Sequence, residues 1–147
     1  MSEWKKQAHV LFLCKYHIVW TPKYRYRILE NEIARFVERK IRVVSEWKNA
    51  QILELSVMPD HVHIVVELPP KLSISEYMGI VKGKSAIALF QRVKDLKKRP
   101  YWGNHFWSRG YCVTTIGLDE EKIRKYVKYQ EDKERLEEDI EQQRGLF

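Results

Sequence analysis

The sequence has few cysteines and no long apolar segment. Cys14 and Cys112 are the only two cysteines in 147 residues, and their spacing resembles neither a zinc site nor a disulfide framework. We therefore expect a reduced, cytoplasmic setting. No apolar run approaches the roughly 20 residues that a membrane-spanning helix needs, and the N-terminus lacks the apolar core of a secretory signal. The sequence thus predicts a protein that is neither membrane-bound nor exported.

Internal repeats and low-complexity linkers are also lacking. The five prolines and six glycines fall mostly between periodic segments, where they mark turns. A length of 147 residues fits one domain, and a content of 44% hydrophobic and 12% aromatic residues favours a packed core over disorder. We therefore predict a single domain over residues 1–147.

Positive charge is in excess and is unevenly distributed along the sequence. The net charge is +7, which suits a polyanionic partner because each Lys or Arg placed on a phosphate displaces a counterion. Residues 82–109 carry eight Lys or Arg and one acid, whereas residues 131–141 carry seven acids and two bases. The basic middle of the chain is therefore the part expected to contact nucleic acid.

Hydrophobic periodicity predicts an α+β fold with the element order βαββαβ and one further helix. Strands are predicted at residues 9–20, 50–57, 61–68 and 106–116, the last with a kink at Gly110. Helices are predicted at residues 30–48, 73–93 and 119–143, with Ser73 and Glu76 as a capping box on the second. The buried face of that second helix is expected to include Ile74, Tyr77, Met78, Val81, Ile87, Phe90 and Val93. The first six elements match a ferredoxin-like antiparallel sheet with both helices on one face.

Two histidines lie two residues apart on the third predicted strand. Alternate strand residues project from the same face, so His61 and His63 can converge on one point and supply two ligands to a metal ion. A bare pair of this kind more often marks polar residues on a half-exposed strand. Here the surrounding valines and isoleucine indicate a central strand, where each ring nitrogen needs a partner. Asp60 could orient one ring or could simply belong to the turn.

A tyrosine and a glutamine share one face of the last predicted helix. Tyr126 and Gln130 are four residues apart, and Gln130 could offer an amide oxygen as a third ligand. Two imidazoles, one amide oxygen and open positions suit Mg²⁺ or Mn²⁺. Tyr126 could then attack a phosphate held nearby, although from spacing alone a core aromatic at this position is the more natural interpretation.

In this order and spacing, five segments resemble the small single-tyrosine HUH transposases of the IS200/IS605 type. The segments are residues 16–25 (YHIVWTPKYR), 58–64 (MPDHVHI), 82–85 (KGKS), 106–111 (FWSRGY) and 126–130 (YVKYQ). The resemblance implies that His61, His63 and Gln130 bind the metal and that Tyr126 is the nucleophile. It implies a homodimer in which the histidines of one subunit meet the tyrosine helix of the other. It also implies a substrate of single-stranded DNA with hairpins near the transposon ends, cut through a 5′-phosphotyrosine.

Several further residues are candidates for DNA contacts. Lys23, Tyr24 and Arg25 lie in a run that alternates cations with aromatic rings, a pattern typical of single-strand binding. On the second helix and the last strand, the candidates for gripping a hairpin backbone are Lys82, Lys84, Ser85 and Arg109. Each could also be an ordinary solvated or packed residue. His9, His17 and His105 are too scattered along the sequence to be assigned to the metal site.

Three other functions fit the same sequence. A domesticated relative could cut repeated hairpins on a host chromosome with the same chemistry. A ferredoxin-like nucleic-acid-binding module could use the histidines only for packing. A metal phosphodiesterase could use water in place of Tyr126.

Overall fold

The computed structural model describes residues 5–7, 10–98, 101, 105–116, 132–140 and 142–143. The chain separates into two compact units, Met1–Ile116 and Gly117–Phe147. The first unit contains the sheet and two long helices. In the second, residues 132–140 are helical.

A four-stranded antiparallel sheet forms the centre of the first unit. Its strands are β3 (Lys15–Trp20), β4 (Gln51–Met58), β5 (His61–Glu67) and β6 (Cys112–Thr115), and their order across the sheet is β4-β5-β3-β6. A separate two-stranded hairpin, β1 (Lys5–Gln7) and β2 (Val10–Phe12), precedes them. This order is the ferredoxin-like arrangement, so the predicted α+β fold class is confirmed.

The two faces of the sheet differ in character. On β3 and β5, alternate side chains such as Ile18, Ile64 and Val66 are fully buried and belong to the same core as both long helices. The intervening residues, including His61 and His63, are only half-buried and lie on the opposite face. The alternation of half-buried and buried residues over 61–66 therefore fixes which face of the sheet carries the histidines.

Helices α1 (Asn31–Trp47) and α2 (Ile74–Arg92) lie close to their predicted bounds. Ser73 caps α2 as predicted, because its hydroxyl accepts a hydrogen bond from the Glu76 backbone N–H at 3.0 Å. A buried hydrogen bond of 2.6 Å between the hydroxyls of Ser45 and Tyr77 joins the two helices. The prediction that Ile87 is buried is wrong, since its side chain is 58% exposed. The buried face of α2 instead continues through the small residues Ser85 and Ala86.

Two predicted strands are shorter than expected. The strand predicted at 9–20 is divided into β2 and β3, with Leu13 and Cys14 between them. The strand predicted at 106–116 is reduced to β6. Before β6, Trp107 makes only an isolated bridge to Pro22, and Gly110 takes the left-handed conformation at φ +80°. A left-handed residue interrupts the extended backbone that a ladder requires, so pairing resumes only at Cys112.

The helix predicted at 119–143 agrees with the described helical residues 132–140. Its earlier part, including Tyr126 and Gln130, lies outside the described residues. Within the described ranges, no helix is both long and apolar enough to cross a membrane.

Candidate metal and nucleic-acid site

His61 and His63 lie on the face of the sheet opposite the core, here called the open face. The neighbouring strands place small or apolar residues beside them. His63 pairs with Ser56 on β4 and with Val19 on β3, while His61 pairs with Met58 at the end of β4. The two imidazoles are thus on one face, as the two-residue spacing predicted. They lie at the start of β5, directly after the Pro59-Asp60 turn.

Asp60 fixes the orientation of the first imidazole. Its Oδ1 atom lies 2.9 Å from Nδ1 of His61, and its Oδ2 atom accepts a hydrogen bond from the Arg25 guanidinium at 3.0 Å. The hydrogen bond from His61, followed by the contacts with Arg25, lowers the pKa of the Asp60 carboxyl below its usual value. An ionised carboxylate can only accept, so Nδ1 of His61 carries a hydrogen, and in the neutral ring Nε2 then keeps its lone pair. This is the arrangement in which a carboxylate prepares a histidine for metal binding.

His17 lies against His63, a contact that the sequence analysis missed. The two ring centroids are 4.1 Å apart and the rings are inclined by 55°. Nε2 of His17 and Nε2 of His63 are both buried and have no hydrogen-bond partner among the described residues. His17 is 44 positions before His61, and only the pairing of β3 with β5 brings it here. The alternation of β3 could have predicted that His17 lies on the same sheet face as His61 and His63. It could not have predicted the strand register that brings His17 beside His63.

The chemistry of His61 and His63 suits a divalent metal ion. A buried imidazole nitrogen without a partner is costly unless a ligand takes it up, and His63 Nε2 has none among the residues that the structure describes. His61 offers a second nitrogen whose lone pair is free for coordination. Within the described ranges, no group of three or more His, Cys, Asp or Glu residues is arranged to hold a metal ion. A third protein ligand would therefore be of another residue type or lie outside those ranges, as the predicted ligand Gln130 does.

Lys23, Tyr24 and Arg25 form a tight, non-helical turn after β3, here called the KYR turn. Tyr24 and Arg25 both have positive φ, 63° and 54°. The Tyr24 ring is 62% exposed, and the Lys23 ammonium lies 5.3 Å from its centroid. The exposed guanidinium of Arg25 reaches Asp60, as described above. These residues therefore lie beside the histidine site, connected to it through one ion pair.

The other four predicted DNA-binding residues occupy different environments. Lys84 and Arg109 are exposed. The Lys82 ammonium is hydrogen-bonded to the backbone carbonyls of Ser108 and Gly110 at 2.7 and 3.0 Å, and partial burial lowers its pKa. Ser85 is 1% exposed, and its hydroxyl donates to the Val81 carbonyl. Ser85 is therefore not available to a phosphate in this structure.

Ser85 and Lys82 instead position the segment that precedes β6. The Trp107 indole N–H donates to the Ser85 hydroxyl at 3.0 Å, and Trp107 is itself buried. The Lys82 ammonium donates to the carbonyls of Ser108 and Gly110 in the same segment. Together these contacts attach the segment to α2.

A cleft of about 290 Å³ lies between this segment and the KYR turn. It is lined by Lys23, Tyr24, His105, Trp107, Ser108 and Arg109. Three of the predicted DNA-binding residues, Lys23, Tyr24 and Arg109, are thus brought together although they are far apart in sequence. The cleft combines aromatic surface with two cations.

Comparisons with known proteins agree on one family. The sequence model of a family described as "Transposase IS200 like" matches residues 10–130. The transposases for insertion sequence element IS200 of Salmonella typhimurium and Salmonella typhi are each 42% identical over 140 residues, covering 95% of this chain and 91% of theirs. The ISDra2 transposase TnpA of Deinococcus radiodurans is 32% identical over 133 residues, covering 90% of this chain and 94% of its own.

Solved structures show the same similarity. A crystal structure of a candidate transposase from Deinococcus radiodurans R1 superposes with a TM-score of 0.70 at 30% identity, covering 87% of this chain and 96% of that one. A REP-associated tyrosine transposase bound to a REP hairpin has a TM-score of 0.54 at 18% identity, covering 88% of this chain and 70% of that one. The second likeness concerns the fold alone.

Proposed function

Because the chain belongs to the family of IS200-like transposases, which are DNA-processing enzymes, we propose that it cuts and rejoins single-stranded DNA at transposon ends. The relatives that are 42% identical are both transposases of a mobile element, whereas the REP-associated protein shares only the fold at 18% identity. This difference favours a transposase over a domesticated hairpin nuclease.

The arrangement of Asp60, His61 and His63 carries the proposal. An anchored imidazole lies on one sheet face with a buried imidazole nitrogen that has no partner within the described part of the chain, beside a turn rich in cations and aromatic rings. A non-catalytic module would have no need of such an arrangement. His61 and His63, together with Gln130, would hold Mg²⁺ or Mn²⁺, which supplies polarisation of the scissile phosphate when bound.

The proposed chemistry is one transesterification and its reverse. The phenol oxygen of Tyr126 attacks the phosphorus and loses its proton to solvent or a nearby base. The bond from phosphorus to the 3′ oxygen breaks, and that oxygen leaves as a hydroxyl after taking up a proton. Tyr126 then holds the 5′ phosphate until another 3′-hydroxyl attacks the same phosphorus and releases it.

The substrate proposed is a single strand that folds into a hairpin near the cleavage site. The net charge of +7 supports a nucleic-acid partner, and the exposed Lys84 and Arg109 are free of the packing roles that occupy Lys82 and Ser85. A protein of the same fold is bound to a REP hairpin, which makes a hairpin a reasonable first probe here.

We further propose that the enzyme is a homodimer with composite sites, each joining the histidines of one subunit to Tyr126 of the other. The proposal follows from the family, and mixed dimers test it. Protein carrying His61→Ala should be mixed with protein carrying Tyr126→Phe and allowed to exchange subunits. A composite site predicts that cleavage returns in the mixture although each variant alone is inactive. If the mixture stays inactive while subunit exchange is demonstrated, the tyrosine acts within its own chain.

The reaction itself is tested by adduct formation. The protein is incubated with a labelled hairpin-bearing single strand and Mn²⁺ or Mg²⁺, then denatured and separated by electrophoresis. We expect a labelled protein band that disappears with a chelator, with His63→Ala and with Tyr126→Phe. Cleavage that survives Tyr126→Phe would instead indicate a phosphodiesterase that uses water. Absence of both cleavage and adduct would favour a binding module.

A further inference from the structure

The KYR turn after β3 is strained. Tyr24 and Arg25 adopt positive φ in succession, a conformation that residues with a Cβ rarely take and that tends to occur at functional sites. The surrounding backbone holds the turn in this shape. The Lys23 N–H donates to the Phe106 carbonyl at 2.8 Å, and the Arg25 N–H donates to the Pro22 carbonyl at 2.9 Å.

The strained conformation presents an aromatic ring to solvent. Tyr24 is 62% exposed, and its ring is 5.6 Å from that of Tyr26, which is itself well exposed. The Lys23 ammonium lies 5.3 Å from the Tyr24 centroid. Burial of Tyr24 in the protein core therefore cannot explain why the strain is retained.

The opposite wall of the cleft is rigid. Trp107 is buried and anchored by its hydrogen bond to Ser85, and Ser108 is tied to the turn by bonds to Thr21 and Pro22. The exposed Arg109 adds a second cation at the rim. A cleft of about 290 Å³ with a fixed aromatic wall, an exposed aromatic ring and two cations fits one flat ring joined to a phosphate.

We infer that this cleft between Tyr24 and Trp107 binds one unpaired nucleobase of the DNA strand, which stacks on Tyr24 while Lys23 and Arg109 contact the adjoining phosphate. Duplex DNA would not supply this ligand, because its bases are stacked on one another and paired. The inference rests on the proposed function, since it takes single-stranded DNA as the substrate.

The cleft is also connected to the metal site. Arg25, in the same turn, is ion-paired with Asp60, and Asp60 orients His61. A base bound at Tyr24 would therefore stabilise the turn conformation in which Arg25 meets Asp60. Occupancy of the cleft would in this way favour the orientation of His61 that suits metal binding.

Binding of a single base can be measured without catalysis. The probe is a fluorescein-labelled oligonucleotide that carries the hairpin and single-stranded flank bordering this gene. Its affinity is measured by anisotropy in a chelating buffer, with each flank nucleotide replaced in turn by an abasic residue. One abasic position should weaken binding to the wild-type protein about tenfold. The same substitution should have no effect on Tyr24→Ala, which should already bind the intact probe about tenfold more weakly.

Trp47 provides the matched control. Its ring is 64% exposed, and the Lys48 ammonium lies 4.3 Å from its centroid, so it reproduces the aromatic–lysine pair at the end of α1. Trp47→Ala should bind the probe as the wild type does and keep its sensitivity to the abasic position. Tyr24→Gly is the second test variant, because glycine accepts the positive φ and preserves the turn while removing the ring.

The outcomes separate the inference from the proposed function. If the wild type binds the probe but Tyr24→Ala and Tyr24→Gly lose no affinity, or still respond to the same abasic position, the inference is overturned and the proposed function stands. If the wild type does not bind the single strand at all, both are overturned. If one abasic position weakens binding as expected but no adduct forms, the proposed chemistry is overturned and the inferred base-binding site stands.

Discussion

Removal of the Asp60 carboxylate should weaken metal binding without unfolding the protein. Asp60 accepts the hydrogen bond from Nδ1 of His61 at 2.9 Å and thereby keeps the hydrogen off Nε2. Loss of an anchor of this kind typically lowers metal affinity 10- to 100-fold. We expect Asp60→Ala to show a loss in that range for Mn²⁺. Asp60→Asn should lose less, because its amide oxygen can still accept from His61.

The assay is titration of the protein with Mn²⁺, followed by electron paramagnetic resonance of the free ion. Arg25→Ala should have a smaller effect than Asp60→Ala, since it removes a partner of Asp60 and not of His61. Asp95→Ala controls for the loss of a surface carboxylate, because Asp95 is exposed and contacts only Lys98 among the ion pairs found in the described residues. Equal Mn²⁺ affinity in the wild type and Asp60→Ala would refute the role assigned to the carboxylate.

Three further predictions concern packing and charge. Ser85→Ala leaves the Trp107 indole N–H without its partner, so the free energy of unfolding should fall by about 1–3 kcal/mol in chemical denaturation, whereas an unchanged value would contradict the contact. His17→Ala should lower Mn²⁺ affinity by up to about tenfold, because the His63 ring loses the neighbour that it packs against. His17→Phe should restore much of that affinity. Unchanged Mn²⁺ affinity in His17→Ala would show that His17 does not position His63. Burial raises the pKa of Tyr101 to about 12, while an unfolded tyrosine ionises near 10, so stability should decline as pH rises from 10 to 12. Denaturation at several alkaline pH values should show a decline in the free energy of unfolding that Tyr101→Phe reduces, and an identical decline in both proteins would contradict it.

Local periodicity was sufficient to predict the sheet face of the histidines. Alternation along residues 61–66 places His61 and His63 on the same face whatever the rest of the chain does. The same reasoning predicted α1 and α2 close to their bounds, because long amphipathic patterns leave little choice of period. The ferredoxin-like order then followed from the sequence of elements, and the comparisons confirmed the family resemblance drawn from the motifs.

Contacts between distant segments could not be predicted in this way. His17 reaches His63 through the register of β3 against β5, and Trp107 reaches the KYR turn through its bridge to Pro22. Registers of this kind depend on packing that a single sequence does not display. The buried position of Ser85, by contrast, could have been predicted from the sequence. It is four residues from both Val81 and Leu89, which are buried, so its place on the inner face of α2 could have been inferred from spacing.

The nucleophile is the central claim, and it is tested most directly by locating the covalent bond. The labelled adduct is digested with a protease and a nuclease, and the modified peptide is sequenced by mass spectrometry. We predict a single modified residue, Tyr126, joined to the 5′ phosphate of the strand, with a free 3′-hydroxyl on the released fragment. A nucleotide found on another tyrosine such as Tyr129, or cleavage that leaves no nucleotide on the protein, would contradict the account.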